Sequence, residues 1–102
     1  MTDDALAHLR TARDAVDLAA RDTAMVADEL RRYQKFAKPG QPSPHIVQLR
    51  QRQASARIAA ARAKQAFVLA ARRFVEVHGL AVPAKVPLDA FAMSWLDEHP
   101  LP

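Results

Sequence analysis

With 102 residues, half of them apolar, a quarter charged and only two glycines, the chain has room for one modest core and little from which to build a sheet or a barrel. The absence of cysteine excludes disulfides and thiolate chemistry, and all-α is the expected class. The net charge of +4 is uneven: residues 1–38 balance at zero, residues 39–79 carry +6 and residues 80–102 carry −2, so the positive charge belongs to the middle of the chain.

The amino terminus, Met1-Thr2-Asp3-Asp4, is acidic where a signal peptide would be basic, and no apolar core region follows it, so a cytoplasmic protein is expected. A first helix is expected over residues 3–38. Thr2 is placed to cap it, Asp3 and Asp4 sit where the helix dipole favours negative charge, and Arg31, Arg32, Lys35 and Lys38 lie at the opposite end. Small and apolar residues recur along it every seven positions. One line is Leu9, Val16, Thr23, Leu30 and Ala37; the adjacent line is Ala5, Ala12, Ala19, Val26 and Tyr33.

Lys38-Pro39-Gly40-Gln41-Pro42-Ser43-Pro44 then interrupts the helix. Three prolines remove backbone donors and bar helical geometry from the residues before them, which places a turn at 39–43. Ser43-Pro44 reads as a restart, a serine cap followed by proline at the first helical position. The second helix is expected over 44–78, stopping at Gly79. Its lines are Ile46, Gln53, Ala60, Phe67, Phe74 and Leu49, Ala56, Ala63, Ala70, Val77.

Two matching seams joined by a short turn pack antiparallel, so the expected fold is a long, Ala-rich, coiled-coil-like two-helix hairpin forming a single helical domain. Setting Leu9 opposite Val77 places Ala12 against Phe74, Val16 against Ala70 and Ala19 against Phe67, large against small in those three layers. Gln53 reads either as a register determinant or as a wet seam residue, and its nearness to the turn favours the second.

After a linker at 79–87, Leu88, Phe91, Ala92, Trp95 and Leu96 fall on one face of a short third helix, residues 88–98. Too short to persist alone, it is expected to pack at the open end over Leu6, Val68, Ala71 and Val75. The competing reading gives its face to another chain.

No chemistry converges. His8 and His78 fall on opposite sides of the seam, His45 is at the turn and His99 in the tail, and no two histidines have the i, i+4 spacing that holds zinc on one helix. No nucleophile elbow or phosphate-cradling loop can be built from two isolated glycines. The expectation is a protein that is not an enzyme, with no cofactor, metal or small-molecule substrate. The longest apolar run, Ala66 to Ala71, is far short of the roughly 20 residues of a spanning helix, so no membrane role is expected either.

What does emerge is a small protein-protein interaction module, an adaptor, inhibitor or assembly subunit, that meets a protein partner or self-associates as a homodimer. Phe91, Trp95, Leu96, Val47 and Ala54 are the candidate partner-binding residues, with Ala61, Leu18 and Met25 as further exposed apolar positions. The alternative is a nucleic-acid-binding or nucleoprotein-associated protein using a stripe of Arg50, Arg57 and Lys64, which recur every seven residues. Against it stand the expected absence of exposed aromatics among these cations and the pairing of arginines with Asp14, Asp17, Asp22, Asp28 and Glu29.

Overall fold

The computed structural model describes residues 3–36, 40 and 43–101. Its three helices are α1 (Asp4–Gln34), α2 (Pro44–His78) and α3 (Leu88–Glu98). α1 and α2 pack against each other as an antiparallel hairpin, and the short α3 follows. The expectations for Thr2 as a cap, for Ala37 in the seam, for Lys38 at the end of the first helix and for Pro39, Gln41 and Pro42 in the turn concern residues outside the described set.

Local chemistry sets the helix ends. Asp3 Oδ1 accepts a 3.1 Å hydrogen bond from the Leu6 amide, so an aspartate caps α1. That donor, ahead of the nearby His78 imidazole, holds the Asp3 carboxyl below the usual carboxylate range, although partial loss of hydration pulls the other way. α1 ends at Gln34, short of the expected 38. Lys35 and Phe36 form a turn in which the Phe36 amide reaches back only three residues, to the Tyr33 carbonyl at 3.2 Å. Ser43 Oγ accepts from the Ile46 amide at 3.2 Å, and Pro44 occupies the first helical position. At the far end of α2, Gly79 adopts φ +61°; its amide bonds the Glu76 carbonyl and the Leu80 amide bonds the Val75 carbonyl at 3.0 Å. This is a Schellman stop, and it turns Leu80 back onto the core.

The chain divides into two compact units: unit 1 is Met1–Val16 with Ala63–Pro102, and unit 2 is Asp17–Arg62. Unit 1 holds the larger core. Leu9, Phe67, Ala71, Phe74 and Ala92 are essentially inaccessible, with Ala5, Ala12, Ala70 and Leu96 around them. Leu6, Val16, Leu80, Leu88, Met93 and Trp95 pack on the outside of this cluster, and the Trp95 ring meets Phe74 edge-on at 4.8 Å between centroids. α3 is also tied by charge: Arg13 reaches Asp97 at 2.7 Å, and Arg10 donates to the His99 carbonyl at 2.8 Å, just past the negative end of the α3 dipole.

The expected pairing of Leu9 with Val77 is corrected here. Leu9 is fully buried but Val77 is 63% exposed, whereas Ala71, which lies outside the heptad lines, is fully buried. α2 must cover both α1 and α3, so its buried arc at this end is centred on Phe67, Ala70, Ala71 and Phe74. Val68 and Val75, expected beneath α3, are only half-buried.

Unit 2 is thinner. Val26, Leu30, Ile46 and Leu49 are buried, the last three as one cluster, while Ala19, Thr23, Gln53, Ala56 and Ala60 along the seam are half-buried. Thr23 satisfies its hydroxyl on the Ala19 carbonyl at 2.8 Å. Tyr33, expected in the seam, is 48% exposed and sets its ring edge-to-face on His45, 4.2 Å between centroids.

Candidate interaction surface

The residues expected to bind partners divide between the units. In unit 1, Leu96 is buried and Trp95 and Phe91 are half-buried, and Trp95 lies between Phe74 and the ring of His99, stacked at 4.0 Å. Leu96 and Trp95 therefore cover the core of their own chain. In unit 2, Val47 and Ala54 are exposed, as are Leu18, Met25 and Ala61. Ile58 is exposed too. It falls eleven residues, three helical turns, after Val47, on the same line of α2, a spacing that a search by sevens passes over.

Between α1 and α2 of unit 2 lies a groove of about 620 Å³. Asp22, Met25 and Val26 line it from α1, and Gln48, Gln51, Arg52, Ser55 and Ala56 from α2. The groove is mixed: Met25, Val26 and Ala56 are apolar and the other lining residues are polar or charged. A second cleft, of about 470 Å³, is lined by Glu29, Arg32, Tyr33, Phe36 and His45.

Of the basic stripe, Arg50 and Arg57 are exposed in unit 2 and Lys64 is exposed in unit 1. Arg52 meets Glu29 at 3.4 Å and Arg31 pairs within α1 with Asp28, whereas Arg50, Arg57 and Arg62 bond no described residue. Away from that stripe, past the end of α1, Phe36 is 84% exposed and follows directly on Lys35. Six residues past Leu30 and beyond the end of α1, it stands outside the cluster that Leu30 forms with Ile46 and Leu49.

Three of the histidines have specific neighbours. His78 Nε2 lies 2.9 Å from Asp3 Oδ2 with its ring against Phe74, His99 stacks on Trp95, and His45 meets Tyr33. The pairs Asp3 with His78 and Tyr33 with His45 join distant parts of the chain, whereas His78 on Phe74 and His99 on Trp95 are i, i+4 neighbours. Among the described residues no group of three histidine, aspartate or glutamate side chains could hold a metal ion, and no helix is long and apolar enough to cross a membrane. Comparison with protein-family models, with curated proteins and with solved structures finds no match to this chain.

Proposed function

We propose that this chain is a small non-enzymatic protein-protein interaction module whose contact surface is the outer face of unit 2. An imbalance within that unit carries the reading: among its described residues, four apolar side chains are well buried in the seam, while Leu18 and Met25 on α1 and Val47 and Ile58 on α2 stand exposed in helical register. Covering four half-exposed side chains of this size contributes about 4 kcal/mol, roughly half the gain of full burial for each. A partner helix laid along the groove beside Met25 would collect part of it, and a second copy of the chain could supply that helix.

A photo-crosslinking residue at Met25 in the native cells should capture a defined protein. Substituting Leu18 and Ile58 by lysine should abolish the capture while helix content stays unchanged. Capture of the same proteins with and without those lysines would sink the assignment. Light scattering coupled to gel filtration separates self-association from a foreign partner.

A second reading is favoured by Arg50 and Arg57, which are exposed and bond no described residue. Guanidinium groups left without carboxylates suit phosphate, and binding of this kind weakens steeply with salt. Neutralising both arginines should flatten that dependence.

A further inference from the structure

Residues 30–75 contain eleven bases and no aspartate or glutamate. Within unit 2 the balance is nine bases to four acids, a net +5, and all four acids lie at or before Glu29. The part of the unit beyond Glu29 is therefore positive. It is also where aromatic rings meet solvent: Phe36 is 84% exposed, and Tyr33 and His45 form an edge-to-face pair on the same cleft, with Arg32 in its wall. The core has no use for these rings, because Leu30, Ile46 and Leu49 already close the seam.

We propose that this cleft takes an unpaired base of a single-stranded nucleic acid, stacked on Phe36 or Tyr33, with Arg32 and Lys35 meeting the adjoining phosphates. The proposal rests on the second reading above and adds to bare charge a surface that recognises base faces. Cations interleaved with exposed aromatics are the combination by which unpaired strands are held without regard to sequence. A duplex hides its base faces, and α1 and α2 are each engaged with the other along a seam, so neither is a free recognition helix. An anionic membrane is disfavoured because the described residues lining the cleft are Phe36 and Tyr33 beside a histidine, an arginine and Glu29, with no aliphatic side chain among them to insert. Among the described residues lining the cleft, Glu29 is the group that repels phosphate, and it faces Arg52 at 3.4 Å.

Fluorescence anisotropy of short labelled oligothymidylate and oligouridylate at low salt tests this. At least one should bind, and Phe36→Ala or Tyr33→Ala, whichever ring carries the base, should weaken it about 5- to 140-fold, the equivalent of one lost stacking contact, with the salt dependence unchanged. Arg32→Gln should instead lower the slope of log affinity against log salt by about 0.7. The substituted side chains are exposed, and circular dichroism verifies that the variants keep their helices. No binding at low salt would overturn both this proposal and the arginine reading. Binding that ignores Phe36 and Tyr33, or equal affinity for a duplex, would overturn the stacking site and leave the arginines standing. Phe36-dependent binding to phosphatidylserine vesicles without oligonucleotide binding would also overturn it.

Discussion

Replacing Leu96 by alanine tests whether the apolar face of α3 belongs to the core of its own chain. Leu96 is 4% exposed, in the cluster that includes Ala71, Phe74 and Ala92, and α3 is an eleven-residue helix held largely by this face. Leucine-to-alanine changes in cores cost about 2–5 kcal/mol, the upper values arising where the cavity cannot collapse. A short helix can settle inward, so about 2–3 kcal/mol is expected here. For a chain of this size that corresponds to a fall in Tm of roughly 10–20 °C. Trp95 is the sole tryptophan and lies one residue away, against Phe74, so its fluorescence during thermal unfolding reports this unit directly. Leu101→Ala, at a position 72% exposed, is the control and should stay within about 0.5 kcal/mol of the parent. If Leu96→Ala shifts the transition no more than Leu101→Ala, the α3 face is not core, and the competing idea that Phe91, Trp95 and Leu96 serve another chain returns.

The helix ends make further predictions. Ser43→Ala removes the hydroxyl that accepts from the Ile46 amide and should cost about 1 kcal/mol in denaturant unfolding, with Ser43→Asp close to neutral. At Gly79 an alanine side chain would meet open space, so the φ of +61° alone sets the penalty, about 1–2 kcal/mol by thermal denaturation. The Asp3 carboxyl is held below its ordinary range, so the stability it contributes is present above the unfolded value of about 3.9 and is lost as pH falls through the lower folded one. Acid titration followed at 222 nm should therefore show loss of helix below about pH 4 that Asp3→Asn, which keeps a capping oxygen but cannot titrate, lacks.

Part of the α1 seam was readable from its spacing: Ala5, Leu9, Ala12, Val26 and Leu30 are buried where the heptad lines place them, while Val16, Ala19 and Thr23 on the same lines are half-buried and Tyr33 is exposed. The candidate surface was readable only in part. Leu18, Met25, Val47 and Ala54 could be found as apolar positions off the seam, and they are exposed. Phe36 and Tyr33 could not, because an aromatic near a turn looks the same in sequence whether it closes a core or projects from it. Arg50 and Arg57 were equally ambiguous: whether an arginine finds an acid on a neighbouring helix depends on relative rotation, which spacing along one chain does not carry.

Composition and short-range pattern alone determined the three helices, the reversal between two of them and nearly every terminus, since a serine cap, a proline at the first position and a glycine in the left-handed region act over three or four residues. Tertiary structure decided which flank of each helix is covered. Ala71 is buried and Val77 exposed because α2 must serve α1 and α3 at once, and the direction from which a third helix arrives is a property of the packed molecule, not of any window along the chain.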